Sequence, residues 1–343
     1  MNKEITIYDI AREAGVSPST VSRVMTNRAR VSPSKRKAVQ DVIDKYQFRP
    51  NMMARRLSDT RSNVLGILVA DIRNPYYATV VVECELAAGR RGYSVMVCNA
   101  LGNPSLEESN LTLLYNHRVD AIIQLGCRAD DAVSDPAYVE HVNSIANITP
   151  FISTGKLDGV HGYCLHIDDA SAIDAIMEYL LSMGHRRIAF AGGFLSVEST
   201  RKKVERFIYS LGTNQLDFDS SLLVESEYSV DAGRCCAEKL LGLPSPPSAI
   251  VAVNDIVALG LMDAAMQRNI HVPQDLSLVG FDNTYLAKVV TPKLTTVDYN
   301  YPLLGEKLVD TALKVLNGEA VPEDQTITPA LIIRDSCAFP RAK

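Results

Sequence analysis

A small all-α headpiece carrying a helix-turn-helix, followed by an α/β body of two lobes with parallel sheets and helices on both faces, is the fold class the sequence predicts. Three observations predict it. The first is charge: residues 1–62 hold 13 Lys+Arg against 6 Asp+Glu, net +7, and the remainder holds 22 against 34, net −12, so an overall −5 resolves into a basic headpiece and an acidic body. The second is a pair of short helical patterns joined by a glycine near the N-terminus. The third is the alternation, from residue 63 on, of short apolar runs with amphipathic stretches, the pattern of parallel sheets covered by helices.

Length and composition bound the rest. At 343 residues, with 47% hydrophobic and 22% charged, the chain suits a globular protein of two or three domains and not a disordered or fibrous one. The apolar run at 64–70 (VLGILVA) is far too short to span a membrane, and MNKEITIYDIAREAG lacks the apolar core of a secretory signal, so a cytoplasmic location is expected. Seven cysteines, odd in number and without CxxC spacing, read as reduced core residues with no metal role.

In the headpiece (1–48), Ile7, Ile10, Ala11 and Ala14 recur at helical spacing, and Gly15 can take the left-handed turn out of that helix. Ser17 then caps a second helix that starts at Pro18, where a missing N–H costs nothing. Val21 and Val24 face inward, leaving Ser19, Thr20, Ser22, Arg23 and Thr26 outward. A third helix, capped by Ser32 with Pro33 at its start, turns Ala38, Val39, Val42, Ile43 and Tyr46 inward. Two helices across a Gly turn, braced by a third, form a helix-turn-helix whose second helix enters the major groove. Arg23 can donate two hydrogen bonds to guanine, and the hydroxyls suit phosphates or either base type. Residues 49–62 (RPNMMARRLSDTRS) are a linker whose helix-prone centre orders only against a partner.

In the body (63–343), strands are expected at 64–70, 94–98, 121–125, 151–153, 163–167, 187–191, 249–253, 277–281 and 331–334, and helices at 77–91, 105–116, 170–183, 199–211, 229–242, 255–268 and 302–317. Some 270 residues of this alternation suggest two lobes with a cleft, and ligands of such sheets bind beyond the carboxyl ends of strands. No GxGxxG, GxxxxGK[ST], HExxH or GxSxG falls there, and the six His show no paired spacing, so an enzyme is disfavoured and no cofactor is expected. What does follow the strands is polar and aromatic: Asp71, Asn74, Pro75, Tyr76 and Tyr77 after the first, Asn254 and Asp255 after 249–253, and Asp282 and Asn283 after 277–281. Carboxylates and amides pair with hydroxyls, and aromatic faces pack on sugars or flat bases. Asp255 reads most simply as a helix N-cap, and His185 as a turn residue.

The segments TIYDIAREAGVSPSTVSRVMTN, VSPSKRKAV, YQFRPNMMARRL, GILVADIRNPYYA, MGHRRIAFAGG, AIVAVNDIVALG, LSLVGFDN and PKLTTVDYN, in order from about residue 5 to 335, resemble the LacI/GalR family of bacterial transcription regulators. The resemblance implies a periplasmic-binding-protein-like body, a homodimer on a pseudo-palindromic double-stranded operator, and control by a small hydrophilic effector, a sugar or related metabolite, between the lobes. It places Leu57 where the family's hinge helix wedges the minor groove, adds Tyr8, Ser17, Pro18, Asn27 and Arg30 to the DNA-facing set, and puts effector contacts at Tyr76, Tyr77, Gln124, Ser199, Lys203, Tyr228, Asn254 and Asp282.

The chain departs from the family's RxxGF pattern, reading Lys203, Val204, Glu205, Arg206, Phe207. Lys lacks the planar fork of Arg, so either the effector differs from a neutral sugar, Arg201 substitutes, or the response is weaker. With only SCAFPRAK after the last strand and no heptad tail, a dimer is expected and not a tetramer. The alternative, a solute-binding protein of a transport system, shares the two-lobe body but needs export and no basic headpiece.

Overall fold

The computed structural model describes residues 5–26, 31–48 and 61–341, and the chain divides into two units, Met1–Ser62 and Asn63–Lys343.

In the first unit, α1 (Ile7–Glu13) opens with a capping box in which Thr6 and Asp9 satisfy each other's backbone N–H. Gly15, at φ +65°, supplies the left-handed turn, and α2 (Pro18–Thr26) and α3 (Pro33–Tyr46) follow. Ile10, Ala11, Val21, Val24, Val39 and Val42 form the core. Tyr46, expected inward, is instead 39% exposed because its hydroxyl donates to Glu13 Oε2 at 2.6 Å, tying the end of α3 to the end of α1. Ala38 is likewise only half-buried.

The second unit contains two six-stranded sheets. The first is ordered β11-β5-β4-β3-β1-β2, from β1 (Val64–Val69), β2 (Ser94–Asn99), β3 (Ala121–Leu125), β4 (Phe151–Ser153), β5 (Tyr163–Ile167) and β11 (Asp324–Ile327), with every pair parallel. Alternate residues of β1 serve opposite faces: Leu65, Ile67 and Val69 pack under α4 (Pro75–Arg90) and α12 (Tyr301–Leu316), while Val64 and Leu68 join the cluster under α5 (Pro104–Asn116) and α6 (Pro136–Ala146).

The other sheet is ordered β12-β10-β9-β8-β6-β7, from β6 (Ile188–Ala191), β7 (Leu223–Val224), β8 (Ala249–Ala252), β9 (Ser277–Asp282), β10 (Thr295–Asp298) and β12 (Ala330–Ile332). Its pairs are parallel except β10 with β12. Around it lie α7 (Asp169–Ser182), α8 (Glu198–Thr213), α9 (Val230–Leu241), α10 (Asp255–Gln267) and the short α11 (Tyr285–Val289). Helices α9 and α10 touch through glycines: a Cβ on Gly260 would meet Val230 O at 2.0 Å.

The sequence reading missed β7, β10, β11, α6 and α11. The chain crosses between lobes three times: β5 to α7, β10 to α12, and β11 to β12 through Thr328 and Pro329. The lobes also meet backbone to backbone, where Ala132 N–H donates to Ser196 O at 2.8 Å and Asp131 bridges Val197. No helix among the described residues is long and apolar enough to cross a membrane.

Candidate functional site

On the headpiece, Ser17, Ser19, Ser22 and Arg23 are exposed at the start and outer side of α2, Pro18 and Thr20 are half-buried, and Tyr8 of α1 is 66% exposed. The hydroxyl of Ser17 lies 2.8 Å from that of Ser19 and 2.9 Å from that of Thr20, so the helix begins in a cluster of groups that both donate and accept. Thr26 ends α2, while Asn27, Arg30 and Leu57 lie outside the described residues.

In the body, a cavity of about 160 Å³ lies between the lobes, roughly ten times the room a single water needs. Of the expected effector contacts, Tyr76, Tyr77, Ser199, Lys203, Tyr228, Asn254 and Asp282 line it. Asn74 caps α4 and thereby sets Tyr76 and Tyr77 at the cavity wall, their rings edge to face at 4.8 Å. Gly126, at φ +71°, lies under Tyr77, where a Cβ would meet the phenol oxygen at 2.2 Å.

From the other lobe, Asn254 caps α10 through its carboxamide oxygen, 2.9 Å from Val257 N, which leaves its NH₂ group as a donor. Tyr228 shares a 2.9 Å hydrogen bond with Thr200 Oγ1. Asp282 ends β9 with φ +99°, a backbone turn that non-glycine residues rarely take, and accepts a hydrogen bond from Tyr299. Lys203 is buried, 3.3 Å from Asp169 Oδ1, with its ammonium 4.6 Å above the Phe281 ring.

Charge dominates this cavity. Asp130, Asp169 and Asp282 face it, with Lys203 the buried ammonium among them. Burial, with the other carboxylates adding, pushes Asp130 up to about 7, and Asp282 is raised well above the usual range for the same reasons. Asp130 accepts no hydrogen bond from the described residues, and it is seated against Gly155, where a Cβ would meet Ala129 O at 2.1 Å and Asp130 Oδ1 at 2.5 Å.

Three readings need correction. Gln124 does not line the cavity: it is buried, donating to Glu107 Oε1 at 3.0 Å and accepting from the Tyr138 hydroxyl at 2.9 Å, which consumes its hydrogen-bonding capacity within its own lobe. Arg201 does not take the place of the missing Arg, because Glu198 and Glu205, each at 2.9 Å, hold it on the surface of α8, and Arg206 is held by Asp174 through two 2.6 Å bonds. Asp255 is not the N-cap, a role taken by Asn254. It is fully buried and accepts from Thr284 N, Thr284 Oγ1 and Thr296 Oγ1 at 2.7, 3.0 and 2.6 Å. His185 does lie in the connection that precedes β6, and its buried ring ties that connection down, its nitrogens reaching Ser248 Oγ at 2.8 Å and Ala338 O at 3.0 Å.

Sequence reasoning missed Asp130, Asp169, Tyr299, Cys164, His166 and Asp324 at the cavity wall. Asp169 was findable, since it lies just beyond the end of β5, where ligands of such sheets bind.

Residues 6–51 match the family described as bacterial regulatory proteins, lacI family, and residues 177–337 match a periplasmic binding protein-like domain. The chain is 33% identical to the HTH-type transcriptional regulator DegA of Bacillus subtilis over 337 residues, 96% of this chain and 97% of that one. It belongs to the LacI family. A LacI-family relative, catabolite control protein A of Priestia megaterium, is 33% identical over 321 residues, 92% of this chain and 94% of its own. The lac repressor dimer bound to operator and the anti-inducer ONPF superposes with a TM-score of 0.88 at 26% identity, covering 98% of this chain and 100% of that one. As a LacI-family member the protein is a DNA-binding transcriptional regulator and not an enzyme, like the relatives it matches.

Proposed function

We propose that this regulator is a homodimeric repressor whose operator affinity is set by a small, hydroxyl-rich effector, a sugar or sugar derivative, bound between the lobes. The observation that carries the reading is the interlobe cavity, where Asp130, Asp169, Asp282 and Asn254 surround space walled by Tyr76, Tyr77 and Tyr228. Such carboxylates accept hydrogen bonds from vicinal hydroxyls while aromatic faces cover the C–H faces of a ring. Burial pushes Asp130 and Asp282 toward the neutral acid, which both donates and accepts, so the lining suits a neutral, hydroxyl-rich ligand. In the headpiece, Ser17, Ser19, Thr20, Ser22, Arg23 and Tyr8 form the DNA-facing surface, completed by Thr26 from its helical spacing in the sequence and by Asn27, Arg30 and Leu57 from family resemblance.

Linkage supplies the mechanism: a ligand that binds one lobe arrangement better shifts the dimer toward it and changes operator affinity by the same coupling energy. The test is a thermal-shift screen of the full chain with neutral sugars, amino sugars, sugar phosphates and nucleosides. A true effector at 100 times its dissociation constant adds about 2.7 kcal/mol, and each hit is then assayed for its effect on operator affinity. Stabilisation by phosphorylated ligands alone, or a hit without effect on operator affinity, would overturn the reading.

A further inference from the structure

Cys164 and His166 stand two residues apart on β5, so the alternation of a strand sends both side chains to one face of the sheet. The neighbouring parallel strand β11 sets Asp324 opposite Cys164 and Thr326 opposite His166, on that same face. The register therefore converges a thiol, an imidazole and a carboxylate that are far apart in the sequence. His166 Nδ1 lies 3.0 Å from Asp324 Oδ1 and 3.9 Å from Cys164 Sγ, and the three donor atoms all fall within 4.8 Å of one another.

In tetrahedral zinc sites the bond lengths, about 2.3 Å to sulfur and 2.0–2.2 Å to nitrogen or oxygen, put donor atoms roughly 3.3–3.7 Å apart. The arrangement needs only small side-chain movements to meet those spacings. The remaining ring nitrogen, Nε2, is 3.3 Å from Thr326 Oγ1, the kind of outer contact that fixes a metal-binding imidazole in orientation and leaves Nδ1 as the ligand. Cys164, His166 and Asp324 all line the interlobe cavity, so a position between them opens toward that space.

We propose that Cys164, His166 and Asp324 form a three-ligand site for a borderline divalent transition metal of the zinc class, with its fourth position facing the interlobe cavity. Sulfur and imidazole donors select zinc or cobalt over magnesium and calcium, which prefer shells of oxygen. On binding, the Cys164 thiol releases its proton to solvent and the thiolate becomes the ligand. This inference stands apart from the identity of any organic effector, since the metal is bound by protein groups alone.

Cobalt(II) titration of the chelator-treated full chain tests it. The expected result is saturation at one equivalent per chain, with a near-ultraviolet thiolate-to-cobalt charge-transfer band and the visible bands of a tetrahedral centre, both displaced by one equivalent of zinc. Cys164→Ser should abolish the charge-transfer band and weaken binding at least tenfold. Cys235→Ser, which changes an exposed thiol on α9, should leave both unchanged. His166→Gln, at a side chain 30% exposed, weakens binding at least tenfold as well and gives a second reading should Cys164→Ser fail to fold. A band that survives in Cys164→Ser, a band lost in Cys235→Ser, undiminished binding in His166→Gln, or no saturable uptake at micromolar cobalt overturns the proposal.

Discussion

Asp255 grips Thr284 twice with one carboxylate oxygen, accepting its backbone N–H at 2.7 Å and its hydroxyl at 3.0 Å, while the other oxygen takes the Thr296 hydroxyl at 2.6 Å. Thr284 lies two residues beyond Asp282, and Thr296 lies on the strand beside it. A carboxylate at the start of α10 thus anchors the turn that carries a cavity residue in its unusual backbone conformation. Asp255→Ala leaves buried donors unpaired and should lower stability by about 2–4 kcal/mol, read by denaturant melting. A loss under 1 kcal/mol would show that the turn holds itself.

Asp130 makes stability depend on pH. Its folded value of about 7 exceeds the unfolded value of roughly 3.9, so the folded state holds the extra proton in between, and the effector-free protein loses stability as pH rises through that window. Solvent in the cavity moderates the effect to about 1–2 kcal/mol. Asp130→Asn should therefore melt roughly 2–6 °C higher than wild type at pH 8 and nearly level with it at pH 4. Parallel profiles for the two proteins would refute this.

Asp282→Ala should remove the effector response while operator binding persists, since the DNA-facing residues belong to the other unit. Unpaired ligand hydroxyls in a largely dry site typically cost about 1–3 kcal/mol, up to a hundredfold in affinity. Operator titrations with and without the effector decide it, and an unchanged response would return Asp282 to tying its loop.

Arg23→Ala should weaken operator binding by about 1–3 kcal/mol and leave the melting temperature unchanged, because the side chain is exposed and outside the headpiece core. Equal losses on operator and random DNA would make Arg23 a phosphate contact.

Tyr301 carries a buried hydroxyl that finds no hydrogen-bond partner among the described residues. Tyr301→Phe removes that group and keeps the ring packed near Tyr76, so stability should hold or rise by up to about 1 kcal/mol. A clear drop in the melting temperature would mean that the hydroxyl is satisfied in solution.

How far the sequence could be read depended on what holds each element. Apolar strands such as β1 and β8 announced themselves, but β10 reads TTVD and β11 reads DQTI, where burial of Thr295 and Thr296 and pairing at a sheet edge do what apolar side chains do elsewhere. Cavity residues at strand ends, Tyr76, Asn254 and Asp282, were legible from the rule that ligands sit beyond those ends. Asp130 was not, because a short turn after β3 becomes part of the wall only once Gly155 closes against it. Gln124 misled for the converse reason: its position fits a ligand contact, yet Glu107 and Tyr138, distant in sequence, claim its amide.

The backbone bond from Ala132 to Ser196 joins the lobes without using a side chain. Substitutions at either position, proline at Ala132 excepted, leave its donor and acceptor in place. The means of closure is therefore insulated from sequence drift, while the residues that line the enclosed space are free to change. A lineage built on this frame can trade one ligand for another and keep the same mechanical clasp.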